Sequence, residues 1–154
     1  MMGLFEYDID VDDVLSFAHP STLARIDREV NRAVEQELTQ AVVRAQATAE
    51  FQDRTGAFRA SITFEVGGTV SGGDLSVRLF SPVDYGGYLE DGTPPHDIHP
   101  VTRKMLRWTK NGNVYFARKV HHPGTRPRRI LASAVDFVQL EIKIGEAVVR
   151  AMRR

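Results

Sequence analysis

The sequence contains no cysteine, which excludes both a disulfide framework and a thiolate zinc site. No apolar run approaches the ~20 residues that are needed to cross a bilayer. The N-terminus lacks a cationic flank followed by an apolar segment, so no secretory signal is expected. Glycine pairs occur, but none has the lysine and spacing of a phosphate-binding loop. Together these absences favour a protein of a reducing compartment, or one of an assembly that needs no covalent cross-links.

Net charge is also absent, since 20 basic residues balance 20 acidic ones, but the two signs are separated along the chain. Residues 1–100 carry 17 acidic and 7 basic side chains, whereas residues 101–154 carry 3 acidic and 13 basic ones. Such a division is typical of a basic nucleic-acid surface. It is equally typical of head-to-tail assembly, in which the acidic part of one copy meets the basic part of the next. The third interpretation is neutralisation within one fold.

The length of 154 residues and the apolar content of 42% are those of one globular domain. Apolar and acidic residues alternate over residues 4–12, which predicts a strand with one apolar face. We therefore divide the chain into an acidic N-terminal strand or arm, residues 1–20, and a single α+β domain, residues 21–154. The terminal strand is expected either to complete its own sheet or to dock on a neighbour's sheet.

Two helices are predicted from apolar residues at three- and four-residue spacing. The first follows an N-cap at Ser21 and runs from Leu23 to about Glu50, a length of roughly 40 Å. The second covers residues 129–152, and its apolar positions occupy more than one face. A helix of that kind is buried on two sides, either within the fold or at a subunit contact.

Between the helices, the pattern predicts a mainly antiparallel sheet. A short helical turn in residues 55–62 leads into a strand at 62–70, and a turn at 71–74 leads into a second strand at 75–81. A helical turn is expected at 84–89, and the Asn111-Gly112 pair predicts a type I′ hairpin. The fold class is therefore α+β: a long N-terminal helix and a C-terminal helix packed on a small sheet, with a protruding hairpin and long loops.

Residues 84–127 concentrate the chemically distinctive side chains, including the only tryptophan, four of the five histidines and five of the seven prolines. A metal site would need His96, His99, His121 and His122 to converge from two loops, with Asp97 nearby. No helix places a histidine pair at i, i+4, and His96, His99 and His122 each lie beside a proline. Structural or solvent-exposed loop histidines are therefore favoured over metal ligands, and no cofactor is predicted.

An enzyme would draw its nucleophile from Ser61 or Ser81, its base from a histidine, and its acid from Asp84, Glu90 or Asp91. None of these residues lies in a nucleophile elbow or another motif with a known mechanism. The sequence therefore predicts a protein that is not an enzyme.

A basic cluster suggests nucleic-acid binding, because cationic side chains lie beside Trp108, Tyr115 and Phe116 on the predicted hairpin. Alternate strand residues point to opposite faces, so these charges do not all share one surface. A basic surface that meets an acidic protein partner, or that faces DNA passing by, is favoured over sequence-specific binding. The cluster consists of Arg103, Lys104, Arg107, Arg118, Lys119, Arg126, Arg128 and Arg129.

Four motifs occur in order between the two helices: TGAFRASI at 55–62, YGGYLEDGT at 85–93, IHP at 98–100 and HPGTRP at 122–127. In this series the chain resembles the HK-97-type tail-component family of long-tailed bacteriophages, over about residues 20–140. Each motif alone is mainly turn chemistry, and their order and spacing carry the resemblance. The chain departs from the family where Arg129-Ile130-Leu131 replaces a frequent Pro-Phe-Leu, and in its acidic N-terminal segment.

The resemblance implies a non-enzymatic virion protein that is assembled in the host cytoplasm. It implies a homo-oligomeric ring, six- or twelve-fold, at the head–tail junction between the head-closure or connector proteins and the tail terminator or tail tube. Genome DNA would pass through the bore without specific binding, and no membrane is involved. Two alternatives remain open: a tail terminator that caps the tail tube and, more remotely, a nucleic-acid-binding module that uses the basic hairpin.

The predicted site consists of contact residues in two segments, 85–93 and 121–128. Residues of the YGGYLEDGT motif are expected to define the turn there, and the later histidines and arginines are expected at a subunit or partner contact. The predicted contact residues are Tyr85, Tyr88, Glu90, Thr93, His121, His122, Arg126 and Arg128.

Overall fold

The computed structural model describes residues 3–8, 18–48 and 51–153, with β1 (Gly3–Asp8) described by its backbone alone. β1 pairs antiparallel with β3 (Ser76–Ser81), which in turn pairs antiparallel with β2 (Thr63–Gly67). The sheet order is therefore β1-β3-β2. The N-terminal strand completes the sheet of its own chain, one of the two predicted possibilities. Residues 9–12 and the predicted acidic face of this strand lie outside the described residues.

Helix α1 (Pro20–Ala47) spans 28 residues, about 42 Å at 1.5 Å per residue. The predicted N-cap at Ser21 is wrong, because the helix already begins at Pro20 and Ser21 lies within its first turn. His19 is the cap, and its ring Nδ1 accepts a hydrogen bond from the Ser21 backbone N–H at 3.3 Å. Proline suits this position, since its fixed φ is helical and its missing N–H would have no partner there. The predicted end at about Glu50 is close to the observed end at Ala47.

The predicted single C-terminal helix is two helices, α4 (Ile130–Ala134) and α5 (Phe137–Met152). Val135 is extended, and the Asp136 carboxylate accepts the Gln139 backbone N–H at 3.1 Å, so Asp136 caps a new helix. The apolar periodicity continues through this break because both helices pack on the same core. An aspartate between two apolar segments was the signal in the sequence for a new helix start.

The core lies between the helices and one face of the sheet. α1 packs mainly on α5 and also contacts α4 and β2. Val77 and Leu79 of β3 are buried on one face of the strand, as the alternation predicts, and Leu75 just before the strand is buried as well. The Arg25 side chain near the start of α1 donates to the Ala151 carbonyl near the end of α5, at 2.6 Å. The Arg44 side chain near the end of α1 donates to the Ala134 carbonyl at the end of α4. α1 and α5 are therefore antiparallel.

The TGAFRASI motif forms α2 (Ala57–Ser61), the predicted helical turn that leads into β2. Gly56 has φ of 71°, a left-handed conformation that glycine adopts without strain. Asp53 accepts the backbone N–H groups of Gly56 and Arg59, at 2.9 and 3.0 Å, and Phe58 is completely buried. The motif therefore anchors the segment that follows α1 to the core.

The chain then forms α3 (Gly86–Asp91), as predicted, and an arm that spans residues 96–122. The base of the arm pairs β4 (His96–Ile98) antiparallel with β7 (Val120–His122). Its tip is the predicted hairpin, β5 (Leu106–Lys110) and β6 (Asn113–Ala117), which turns at Asn111 (φ 52°) and Gly112 (φ 78°). The two long loops that were predicted to hold the histidines instead contain β4 and β7, which pair with each other. Three-residue strands flanked by proline leave no periodicity to detect.

Candidate assembly surface

The YGGYLEDGT and HPGTRP motifs meet at their Gly-Thr dipeptides. Gly92-Thr93 follows α3, and Gly124-Thr125 follows β7 at the end of the arm. The backbone N–H of Thr93 donates to the Thr125 carbonyl at 3.1 Å, and the Thr125 N–H donates to the Thr93 carbonyl at 3.0 Å. The two threonine Oγ1 atoms are 3.1 Å apart. We call this arrangement the Gly-Thr bridge.

The glycines of this bridge are required by both conformation and space. Gly92 has φ of 71° and Gly124 has φ of 84°, both in the left-handed region. A Cβ atom on Gly92 would overlap the Thr125 carbonyl oxygen, and one on Gly124 would overlap the Thr93 carbonyl oxygen. The bridge therefore explains why Gly-Thr occurs in both motifs.

Glu90 holds the start of α4 in place. Its carboxylate accepts the Leu131 backbone N–H at 2.9 Å and the Ala132 N–H at 3.5 Å, and the residue is 7% exposed. Burial raises the pKa of this carboxyl group above its ordinary value, and the backbone N–H donors partly offset that rise. The described contacts of this predicted contact residue are thus within its own chain.

A groove lies beside the Gly-Thr bridge, between α3 and the base of the arm. Its volume is about 660 Å³, within the ~300–1,000 Å³ that is typical of ligand pockets. Tyr85 and Tyr88 are both substantially exposed at its edge. The groove is lined by Tyr85, Tyr88, Leu89, Thr93, Pro94, His96, Ile98, His122 and Thr125. Four of the predicted contact residues, Tyr85, Tyr88, Thr93 and His122, are therefore brought together on one largely apolar surface.

The histidines stabilise the base of the arm by pairing across its two strands. The rings of His96 and His122 stack with centroids 5.1 Å apart, and His122 Nδ1 accepts the Gly124 N–H at 3.1 Å. On the adjacent pair, the Asp97 carboxylate lies 3.0 Å from His121 Nδ1 and 2.7 Å from Lys119 Nζ. The hydrogen bonds from Lys119 and His121 lower the pKa of Asp97.

The serines that were weighed as nucleophiles lie apart from the histidines that were weighed as bases. Ser61 Oγ and Ser81 Oγ hydrogen-bond to each other at 2.7 Å beside the sheet, whereas His121 and Asp97 lie on the arm. Within the described residues, no group of three or more His, Asp or Glu side chains is placed to hold a metal ion. In the same part of the chain, no helix has the length and apolar character to cross a membrane.

The hairpin at the tip of the arm exposes apolar side chains on both of its faces. On one face Trp108 and Tyr115 pair across the strands and stack at 5.6 Å, which stabilises the hairpin itself. On the other face, Val114 and Phe116 have large exposed fractions, 45% and 60%. Sequence reasoning did not include Phe116 among the contact residues. The signal was present, because an uninterrupted Val-Tyr-Phe run places apolar side chains on both faces of a two-stranded ribbon.

The basic residues 126 and 128 lie next to the groove on the segment that leads into α4. Both side chains are exposed, and the Arg128 backbone N–H donates to the Leu89 carbonyl at 2.9 Å, which fixes this segment against α3. Gly124, Thr125, Arg126, Pro127 and Arg128 also line a shallow cavity of about 410 Å³. Two arginines beside an apolar groove form a surface suited to an acidic protein partner.

Residues 21–92 match a protein-family model, HK97-gp10_like, whose description is "Bacteriophage HK97-gp10, putative tail-component". The similarity covers 72 of the 154 residues, slightly less than half of the chain. The resemblance inferred from its motifs is therefore confirmed, and the matched family is a structural tail component of bacteriophages. No curated protein and no solved structure matches the chain.

The matched segment begins in the first turn of α1 and ends at Gly92, the residue that follows α3. It contains the core helix, two strands of the sheet and the tyrosine side of the groove. The arm with its histidines, and the exposed Arg126 and Arg128, lie beyond the matched residues. The predicted contacts at Thr93, His121, His122, Arg126 and Arg128 therefore depend on the motifs and the structure.

Proposed function

We propose that the protein is a structural virion protein that forms a homo-oligomeric ring at the phage head–tail junction. The observation that carries this proposal is the hairpin, whose two faces both expose apolar side chains, in a chain with an HK97-gp10-like segment. An isolated two-stranded hairpin is at best marginally stable in water. A protruding hairpin with exposed apolar side chains on both faces fits a protein in which a partner covers it.

The second face of α5 supports assembly through more than one surface. Val138, Ile142, Val149 and Met152 are all exposed, and they follow each other at spacings of four, seven and three residues. Gly145 completes a four-three repeat and has open space above it. This stripe fits the close approach of another helix. The predicted two-sided helix thus has one buried face and one exposed face.

Two different apolar surfaces on one molecule favour heterologous contacts, which generate closed rings when the rotation between copies closes. We assign the ring six- or twelve-fold symmetry. Its neighbours would be the head-closure or connector proteins on one side and the tail terminator or tail tube protein on the other. DNA would pass through the bore without specific binding, and the basic segment beside the groove would face protein.

Charge reversal beside the groove tests the neck role. The variant Arg126→Glu/Arg128→Glu is supplied from a plasmid to a phage whose own copy of the gene is inactivated. We expect filled heads and complete but separate tails in electron micrographs, because the acidic partner is repelled. Purified variant should keep the circular dichroism and melting temperature of the parent, since both side chains are exposed. The matched control, Arg126→Lys/Arg128→Lys, keeps both charges and should restore joining.

Normal tail attachment by the charge-reversed variant would contradict the assignment of these arginines. If tails of uncontrolled length accumulate, the protein is instead a terminator that caps the tube. Tight binding of duplex DNA by the purified parent, lost in the variant, would favour the nucleic-acid module. Portal and major tail genes flanking this one would support the phage assignment independently.

A further inference from the structure

The arm carries positive charges that have no counterpart in the described part of the chain. Residues 101–120, which include the whole hairpin, contain six lysines and arginines and no acidic residue. Lys119 pairs with Asp97 at the base of the arm, at 2.7 Å. The other five are exposed, and none of them forms an ion pair or a side-chain hydrogen bond with a residue that the structure describes. These five cations are Arg103, Lys104, Arg107, Lys110 and Arg118.

The unpaired cations surround a thin ribbon that stands apart from the body. β5 and β6 contact each other far more than they contact any other described element. Arg107 lies opposite Phe116 on one face of this ribbon. Lys110 comes three residues later on the same strand, so it lies on the other face, beside Trp108. Positive charge therefore lies on both faces of the hairpin rather than in a patch on one of them.

A polyanion that flanks the ribbon suits this distribution better than an acidic protein, because a protein surface covers one face of a ribbon. The major groove of B-form DNA admits a two-stranded ribbon, and a row of phosphates borders the groove on each side. Duplex DNA carries about one negative charge per 1.7 Å of its axis. The major groove of duplex RNA is too deep and narrow for side chains to enter. Exposed Val114 and Phe116 suit apolar contacts within the DNA groove.

We propose that the arm contacts duplex DNA, with the hairpin in the major groove and its cations on the phosphates, without preference for sequence. Arg107, Lys110 and Arg118 are the central phosphate contacts. The inference rests on the proposed neck role, in which the genome passes through the ring, and it names the partner that covers the hairpin. Arg126 and Arg128 lie outside the arm and keep their assignment to a protein partner.

Salt titration of DNA binding tests the contact with the purified full-length protein. Anisotropy of a labelled short duplex gives Kd at several salt concentrations. We expect the ~10⁻⁶–10⁻⁴ M that is typical of non-specific binding at physiological salt, with equal values for unrelated sequences. Arg107→Gln/Lys110→Gln/Arg118→Gln should weaken binding at least about tenfold. It should also make the slope of log K against log salt shallower by about 2–3, because each phosphate contact contributes roughly 0.9.

The matched control removes three exposed arginines from α1 and the segment that follows it, Arg28→Gln/Arg32→Gln/Arg54→Gln. It changes the net charge by the same amount and should keep both the affinity and the slope. Trp108 is the only tryptophan of the chain and stacks on Tyr115. An unchanged emission spectrum in both variants therefore shows that the hairpin is intact.

Three outcomes of the titration would overturn the proposal: no binding of DNA by the parent at low salt, equal losses in the arm variant and the control, or equal affinity for duplex RNA of the same length. In the complemented phage, an arm variant that keeps full DNA affinity but fails to join heads to tails would also overturn it. The cations of the arm would then belong to an acidic protein partner.

The neck role and the DNA contact fail in different ways. If joining depends on the protein but the purified parent does not bind duplex DNA, the neck role stands and the DNA contact is wrong. If the arm variant loses DNA affinity while head–tail joining is indifferent to the protein, the DNA contact stands and the neck role is wrong.

Discussion

At the scale of single residues, the Gly-Thr bridge explains two motifs that are well separated in the sequence, YGGYLEDGT at 85–93 and HPGTRP at 122–127. Gly92 and Gly124 each lie in the left-handed region and each face a threonine carbonyl of the opposite segment. Two segments more than thirty positions apart thus approach so closely that neither tolerates a side chain. The sequence marks both glycines as turn residues, but their mutual approach follows only from the fold.

Alanine at either glycine should therefore destabilise the protein. Gly92→Ala and Gly124→Ala combine left-handed strain with overlap against a carbonyl oxygen, and each should cost about 2 kcal/mol or more. Urea unfolding of the purified protein measures the loss. Gly73→Ala is the matched control, because Gly73 has φ of 70° with nothing within 4 Å of a Cβ atom. It should cost only the conformational strain, about 1 kcal/mol, and equal losses in all three variants would contradict the steric argument.

Glu90 shows how a residue of a recognisable motif can have a role that its position does not reveal. In the sequence it is one of two adjacent acids in a turn, and the same motif carries two exposed tyrosines. In the structure its buried carboxylate accepts two N–H groups at the start of α4. Those donors belong to residues 41 and 42 positions away, and no local pattern identifies them.

At the scale of elements, an ionic clamp joins α1 to α5. The Glu37 carboxylate is buried, accepts the Arg44 guanidinium at 2.6 Å and pairs with Lys143 of α5. Burial alone would raise the pKa of Glu37, but the hydrogen bonds from Lys143 and Arg44 outweigh it and lower the pKa below 4.5. Ionised Glu37 is therefore favoured by the folded state.

Replacement of this carboxylate should weaken the fold in a pH-dependent way. Glu37→Gln leaves two cations facing a neutral amide, and we expect a loss of about 1–2 kcal/mol at pH 7. This is below the ~3–5 kcal/mol of a fully buried pair because Arg44 and Lys143 are partly exposed to water.

The sign of the pH dependence follows from the lowered pKa. The contribution of Glu37 is fully present above the unfolded pKa near 4.5 and is lost as pH falls through the lower folded value. The difference in unfolding free energy between parent and variant should therefore shrink below about pH 4.5. Urea titrations at pH 7, 5 and 3.5 measure it, and a gap that widens in acid would contradict the clamp. Glu35→Gln, at an exposed position on the same helix, is the control.

At the scale of the whole molecule, the arm and the helical body are expected to differ in stability. The core is built from α1, α4, α5 and the sheet, whereas β5 and β6 of the hairpin, among the strands that the structure describes, pair only with each other. The hairpin then depends strongly on the turn at Asn111-Gly112 for its stability. Disturbing that turn should affect the arm and leave the body intact.

Gly112→Val tests this division. Valine is strained at the φ of 78° that Gly112 adopts, although nothing within 4 Å obstructs its Cβ atom. We expect faster amide hydrogen exchange over residues 106–117, unchanged exchange in α1 and α5, and an unchanged melting temperature of the body. A global loss of stability comparable with that of Gly92→Ala would show that the hairpin is part of the same cooperative unit.

The sequence by itself determined the elements whose periodicity or turn chemistry is strong. The 28-residue helix, the alternating buried face of β3, the Asn-Gly hairpin and the TGAFRASI turn follow from local pattern, because each depends on neighbours a few residues away. The turn motifs also sufficed for the resemblance to a phage tail component, which the match over residues 21–92 confirms for the part of the chain that holds the first motif and the second as far as Gly92.

Only the tertiary structure decided which distant segments meet. The pairing of β4 with β7, the Gly-Thr bridge, the capping of α4 by Glu90 and the groove beside α3 join residues that are 22 to 42 positions apart. Their short strands and single contacts leave no repeating signal in the chain. The same reason applies to the exposed faces of the hairpin and α5, since an apolar residue in the sequence does not reveal whether its own fold covers it.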